Sequence, residues 1–249
     1  MKSVKVNYKN VYRKAAGQGG WSKRKLDKTT KWGDFYEFIR GRLRGTETVL
    51  DIGTAEGNRF MRLSPYIKRG VGIDIEPEMT KLADKNKRET GAANISFKSM
   101  DAKHLVFPIG AFDVITAKHS PINFKEAFRI LKPNGWLITQ QVCENDKLNL
   151  KEAFGRGQDY GKRVGLLLER YRKQANQAGF RNIKVRVSNT PYYFKSKKKL
   201  IDFLNKAPTI PAFGKGNDYK ILEKFTKRNH TAKGIKSNTS RFLLEMSKG

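Results

Sequence analysis

The sequence predicts a doubly wound α/β fold, a Rossmann-like sheet of about seven strands with a basic helical insertion before the last one. Three observations point there. Short apolar runs alternate with amphipathic stretches from residue 31 onward, the order that gives a mostly parallel sheet with helices on both faces. The first run, Val49-Leu50-Asp51-Ile52, is nearly continuous rather than alternating, as strands buried on both faces are. That run ends in the loop Gly53-Thr54-Ala55-Glu56-Gly57, whose small residues let a ligand come close to the backbone.

The elements follow in order. Lys31 to Leu43 is expected as a helix, with Trp32, Phe35, Tyr36, Ile39 and Leu43 on one face and Gly45 after its end. Residues 49–52 form the first strand, and a helix is expected from Gly57 to Leu63 with Asn58 near its positive end. The second strand is Gly70 to Asp74, and Pro77 starts a helix through Met79, Leu82 and Ala83. Ile95 and Phe97 mark the third strand and Phe112 to Thr116 the fourth. A helix over Phe124–Leu131 ends at the turn Pro133-Asn134-Gly135, and Trp136 to Val142 is the fifth strand. Leu166 to Ala178 is a helix closed by Gly179. Ile183 to Val187 and Phe242 to Met246 are the last two strands, with helical stretches at 196–206 and 217–229 between them. The domain reading is a basic extension and helix over 1–45, then one domain over 46–249 with an insertion at about 190–233.

Charge is unevenly spread. Residues 1–45 hold 13 basic and 3 acidic side chains (+10), residues 181–249 hold 17 and 4 (+13), and the remaining 135 hold 22 and 16 (+6), for +29 in all. Such ends attract polyanions, so RNA is the expected partner, against the alternative of a lysine-rich solvated surface. No apolar run approaches the ~20 residues of a membrane span. The basic N-terminus has no apolar signal region. The single cysteine, Cys143, allows no internal disulfide, and no Cys/His cluster has zinc spacing, so neither a membrane nor a metal is expected and the location is read as cytoplasmic.

In such a sheet ligands sit at the carboxyl ends of the strands. Asp74 ends the second strand, 21 residues after Gly53, where a carboxylate can accept from both hydroxyls of a ribose. Asp101 follows the third strand and can accept from an exocyclic amine. Asp51 could instead cap its loop, Asp74 be a surface acid and Asp101 cap a helix. Three acids in order on three successive strand ends favour an adenosine pocket.

Here the motifs VLDIGTAEG, GIDIEPEM, SMDAKHL, FDVIT and RILKPNGWLI resemble, over about residues 46–145, the ordered motifs of the class I S-adenosylmethionine-dependent methyltransferases. The resemblance implies S-adenosyl-L-methionine as cofactor. It implies that Asp51 and the loop Gly53, Thr54, Ala55 and Gly57 hold its methionine part, with Thr116 at the neighbouring strand end. Asp74 then binds ribose, Asp101 and Ala102 bind adenine, and Ile75 and Met79 line the adenine face. Ala55 stands where the family usually has a second glycine, so a shifted loop is expected. The tract TAKHS to TQQV and the tail from PYYFKSKKK also resemble a little-characterised subgroup, which fixes no substrate.

His119 sits where an acceptor would enter and is the candidate general base, against a purely structural histidine. Lys118 and Gln141, with Gln140 beside it, are candidate acceptor contacts, and Lys197, Lys198 and Lys199 candidate phosphate contacts. Cys143 follows the fifth strand as a nucleophilic cysteine does in RNA cytosine-C5 methyltransferases, but Ala117-Lys118-His119-Ser120 lacks the Pro-Cys pair of those enzymes. Three functions remain: a methyltransferase of structured RNA such as ribosomal or transfer RNA, a metabolite methyltransferase with the 190–233 insertion as a lid, and a non-catalytic RNA-binding protein. The tail aromatics (Tyr192, Tyr193, Phe194, Phe203, Phe213, Tyr219, Phe225) would stack on bases in the first, and are read more readily as the insertion's own core.

Overall fold

The computed structural model describes residues 30–249. Asp34 opens the first helix, α1 (Phe35–Arg40), by accepting from the backbone N–H groups of Tyr36 and Glu37 at 3.1 and 3.3 Å. This side-chain cap satisfies amides that a helix end leaves orphaned. The helix is shorter than the expected Lys31–Leu43 because Gly33, at φ 77°, and the cap break it on one side and Gly41 ends it on the other. Phe35, Tyr36 and Ile39 are buried in the same core as Val49, Phe60 and Leu63, so this part of the 1–45 extension is built into the domain.

Next come β1 (Thr48–Ile52), a 3-10 helix (Phe60–Tyr66), β2 (Arg69–Asp74), α2 (Pro77–Thr90) and β3 (Ile95–Ser99). The helix expected from Gly57 is thus displaced and tightened. Pro65 lies inside it, and a proline cannot donate the bond an α-helix interior needs. The loop therefore ends without a long helix dipole behind it.

The chain continues through β4 (Phe112–Lys118), α3 (Phe124–Ile130), β5 (Leu131–Val142), α4 (Leu148–Phe154), α5 (Leu166–Ala178), β6 (Arg181–Phe194), α6 (Lys197–Lys206), α7 (Asp218–Arg228), β7 (His230–Thr231) and β8 (Gly234–Ser247). The sheet order is β3-β2-β1-β4-β5-β8-β6, with β7 pairing β8. Strands β1 to β5 pair in parallel, and β8 is antiparallel to both β5 and β6. The chain order reverses at β1, between β2 and β4, which opens the crevice of a doubly wound sheet there.

Two apolar layers cover the faces. One joins Leu50, Ile73, Ile115, Leu137 and Leu244 to α3 and α5 through Phe124, Ala127, Tyr171 and Phe180. The other joins Val49, Ile95, Val114 and Ile138 to α1, the 3-10 helix and α2. A third, separate cluster joins Leu150 and Phe154 of α4 to Phe194, Leu200, Leu204, Ile210, Leu222, Phe225 and Ile235. It exists because β6 and β8 run on past the end of β5, where Arg241 meets Val142, as a two-stranded ribbon up to Phe194 and Ile235. The ribbon's polar residues hid these extensions from an apolar reading, and α4 was not expected at all. Since β6 runs parallel to β5, α6, α7 and α4 all stand at the carboxyl edge of the sheet.

Candidate active site

The loop after β1 is stitched to β2. Gly53 and Thr54 donate backbone N–H groups to Ile73 O at 2.8 and 3.0 Å, and Ala55 donates to Asp74 Oδ2 at 2.9 Å. Gly53, Ala55 and Gly57 all take positive φ, 73°, 50° and 74°. Ala55 thus adopts the left-handed backbone a glycine would take, and the shift expected from its substitution is replaced by local strain. The glycines answer to close neighbours. A Cβ on Gly53 would lie 2.5 Å from Ser120 Cβ, and one on Gly57 2.5 Å from Phe97 Cζ.

Asp51 lies wholly buried beneath the loop. Tyr36 donates its hydroxyl to the two carboxylate oxygens at 3.2 and 3.1 Å, and Thr116 donates to Oδ1 at 2.6 Å. Burial pushes the Asp51 carboxyl up to about 6, against the pull of those hydroxyls. Thr116 is itself wholly buried, so it holds Asp51 rather than offering a free group. Tyr36, read from sequence only as part of a helix's apolar face, is a site residue that the sequence did not mark. Its phenol in an otherwise apolar stripe is the one trace it leaves there.

Asp74 is half-buried, accepts from Glu76 N–H at 3.0 Å as well as from Ala55, and has its carboxyl raised by burial. Ile75 beside it is 58% exposed, while Met79 is buried, so Met79 lies under the pocket wall and not on it. Met100 donates to Asp74 O at 2.9 Å, which brings Asp101 and half-buried Ala102 alongside. Asp101 accepts from Lys103 N–H at 2.9 Å in a local turn; that capping role occupies one of its oxygens.

Across the crevice, His119 follows the last residue of β4, exposed and with φ 57°. Its N–H donates to Gln140 O at 2.8 Å, and its Nε2 lies 3.3 Å from Gln140 Nε2. Gln140 Oε1 accepts from Trp32 Nε1 at 2.8 Å. Gln141 is buried and its amide N donates to Ser120 O and Thr139 Oγ1, both at 2.8 Å. Its amide hydrogens are thereby spent on Ser120, in the loop after β4, and on Thr139 of β5, so only its oxygen is left to meet an acceptor. Lys118 is only 8% exposed, so it too is not an open contact. Cys143 is buried and its thiol is raised, chiefly by that burial, the opposite of an activated nucleophile.

Lys197, Lys198 and Lys199 are exposed on the first turn of α6, where Lys197 pairs with Glu223. They stand on the insertion, apart from the strand ends. Of the tail aromatics, Tyr192, Phe194, Phe203, Phe213 and Phe225 belong to the insertion's core, and Tyr219 is 52% exposed.

A family model described as a methyltransferase domain matches residues 43–224. The uncharacterized methyltransferase YcgJ of Bacillus subtilis is 33% identical over 111 residues, 41% of this chain and 44% of the relative. The demethylmenaquinone methyltransferase of Lactococcus lactis is 28% identical over 117 residues, 43% and 46% of the two chains. The chain thus spans less than half the length of these curated relatives. Among solved structures, YcgJ superposes with a TM-score of 0.63 at 19% identity, covering 86% of this chain and 97% of that one. A phosphoethanolamine N-methyltransferase of Haemonchus contortus, solved with S-adenosylhomocysteine, gives 0.56 at 19% identity over 88% and 53%. At these identities the structural likeness is one of fold, and the family rests on the domain match, which runs through the glycine loop, Asp74 and the end of β5: the chain belongs to the methyltransferase-domain family.

Proposed function

We propose that the chain methylates a small-molecule acceptor held between the carboxyl ends of β4 and β5 and the 190–233 insertion. The observation that carries this is the insertion's own apolar core, closed with α4 at the edge where Asp51, Asp74 and His119 lie. That core takes up five of the seven tail aromatics, Tyr192, Phe194, Phe203, Phe213 and Phe225, that would otherwise be free to stack on bases. Two relatives named for small-molecule substrates, a demethylmenaquinone methyltransferase and a phosphoethanolamine N-methyltransferase, support the same size class.

The residues at β1 to β3 suit the cofactor. Asp74 uses two backbone amides of the roughly four acceptor positions a carboxylate has, which leaves room for a ribose diol. Exposed Ile75 offers an apolar face to adenine, and Asp101 and Ala102 stand next to it. Asp51, under the loop, supplies negative charge near the methionine ammonium, kept in place by Tyr36 and Thr116. When bound, the cofactor supplies an electrophilic methyl group on a sulfonium. The protein's own part is alignment of the acceptor and exclusion of water, for which the insertion and the loop after β4 are placed.

A second reading, an RNA acceptor, is favoured by the insertion's surface. Lys198, Lys199, Lys215, Lys220, Lys224 and Lys233 are all exposed there. Tritiated methyl transfer onto total RNA and onto a metabolite extract, followed by mass spectrometry, separates the two. The proposal expects label in a low-molecular-weight product. An RNA enzyme would instead label a nucleoside at a defined position, and reversal of Lys197, Lys198 and Lys199 to glutamate would abolish that label. Four phosphate contacts would also cost roughly 50-fold in RNA affinity between 50 and 200 mM salt.

A further inference from the structure

We propose that the acceptor carries an anionic group, a carboxylate or a phosphate, and that Arg241 on β8 is the residue that grips it. The inference deepens the small-molecule reading and rests on it. The geometry starts from the sheet register. Gln140 of β5 faces Leu243 of β8, and Val142 faces Arg241. Residues two apart on a strand share a face, and Leu243 belongs to the core layer of α1. Arg241 is therefore the diagonal neighbour of Gln140 on the α1 face, one step nearer the insertion. Ser188 of β6 stands opposite Arg241 on its other side. The strap ahead of α1 crosses this face: Lys31 N–H donates to Ser188 Oγ at 3.1 Å, and Trp32 Nε1 donates to Gln140 Oε1 at 2.8 Å. Arg241 thus lies between the strap's two anchors, where β5 ends and the ribbon toward the insertion begins.

The guanidinium is only partly used. Its Nη1 lies 2.6 Å from Asp146 Oδ1 and donates to Ser240 O at 2.7 Å. Its Nε is buried and meets no acceptor among the described residues, a state that calls for a ligand or an ion to explain it. Nε and Nη2 form the edge on which an arginine holds a carboxylate or phosphate through two parallel bonds. The side chain keeps 12% of its surface exposed, so the fork is shielded from bulk water without being sealed. The charges around it are short of anions. Glu144, Asp146, Lys147 and Lys151 are all buried. Glu144 spends its oxygens on the Gly165 and Leu167 N–H groups at the start of α5, at 2.9 and 2.6 Å. Lys147 Nζ meets Asn238 O, Thr239 Oγ1 and Asp146 Oδ1 at 2.7, 2.8 and 3.5 Å. Lys151 donates to Glu144 O at 2.8 Å, a carbonyl rather than a carboxylate, and burial pushes its ammonium down. Three cations are thus set against two carboxylates already committed. Excess charge of one sign is costly to bury, and an anion on the Nε edge offsets it. A neutral or purely cationic acceptor would leave both the fork and the excess unmet.

NMR on the full chain reads the site directly. The ¹⁵N resonance of Arg241 Nε, assigned by triple-resonance spectra, should shift on titration with inorganic phosphate. The shift should be the same in a variant with Lys197, Lys198 and Lys199 all changed to glutamate. No shift, or one lost in that variant, means surface attraction of an adventitious ion only and overturns the inference. In methyl transfer on the metabolite extract, the labelled product should bear a carboxylate or a phosphate, which mass spectrometry tells apart. A small labelled product with neither group overturns the inference and leaves the small-molecule reading standing. Label in RNA alone fails that reading, and the phosphate titration then decides the anion site by itself. Arg241→Lys keeps the charge beside Asp146 but drops the Nε edge. It should raise the acceptor KM about 30-fold or more with kcat within about threefold, the mark of lost ground-state binding. A residue that only braces the strand end would leave KM unchanged, and that result overturns the inference. If Arg241→Lys does not fold, the wild-type titration still tests it.

Discussion

The two ends of the carboxyl edge are built on different principles. On the β1–β2–β3 side the site is local and backbone-made: Ala55 and Glu76 N–H groups hold Asp74, and Ile73 O holds the glycine loop. On the β5–β8–β6 side it is assembled from distant side chains. Trp32 reaches Gln140 across 108 residues, and Lys147 Nζ bonds Asn238 O across 91. The first design suits a ligand that never changes, since few residues outside the motifs can alter it. The second suits a variable acceptor, because the insertion and the strap at Trp32 can change without touching the cofactor pocket. It follows that damage to one side should leave the other working.

The largest effect should come from the cores. Phe35→Ala in the layer behind β1 should cost about 3–5 kcal/mol of stability and, by loosening α1, withdraw Tyr36 from Asp51. Phe225→Ala in the insertion core should cost a similar amount but strike only the acceptor side. Calorimetric cofactor affinity should survive Phe225→Ala within about twofold while methyl transfer falls at least tenfold. If cofactor affinity collapses as well, the two sides are not separable.

Next in size is the Asp51 carboxyl, which burial holds at about 6 against an ordinary 3.8. The folded state binds this proton more tightly than the unfolded chain does. Its stabilising contribution is therefore complete below about pH 4 and lost as pH rises through about 6, by roughly 3 kcal/mol. The unfolding free energy of Asp51→Asn relative to wild type should rise over that window, measured by urea denaturation without cofactor. A pH-independent difference would mean the carboxyl is not perturbed. Tyr36→Phe removes a donor to the carboxylate and should shift the window upward.

Asp74→Ala should weaken cofactor binding by about 1–3 kcal/mol, the scale of a lost charged acceptor, with the fold intact by thermal melt. Unchanged affinity in calorimetry would remove Asp74 from the ribose site. The smallest effect belongs to Ala55→Gly. Relief of the left-handed strain at φ 50° should outweigh the entropy glycine adds to the unfolded chain, for a net gain of up to about 1 kcal/mol. A loss of stability would show that the alanine side chain contributes packing beyond its backbone cost.

The same division decides what the sequence revealed. The cofactor side was legible because its chemistry follows the chain: a strand, a small-residue turn and an acid recur at short spacing, and each acid ends a strand. The acceptor side was not, because its determinants are pairings between segments far apart. Tyr36 and Trp32 looked like ordinary apolar-face residues, and nothing local tied them to Asp51 or Gln140. Gln141 looked available because its partners, Ser120 and Thr139, can be named only once β4 and β5 are side by side. The 3-10 helix at Phe60 was misplaced for a local reason, Pro65, that was visible in the sequence. The ribbon formed by β6 and β8 was missed for the opposite one, since its residues are polar and only the strand pairing makes them a sheet.

The most direct test of the account is methyl transfer from tritiated S-adenosylmethionine into a fractionated metabolite extract and total RNA, run in parallel with wild type and Phe225→Ala. The account predicts label in one low-molecular-weight product, formed by wild type and reduced at least tenfold in Phe225→Ala with cofactor affinity retained. Label confined to a defined RNA nucleoside would contradict it.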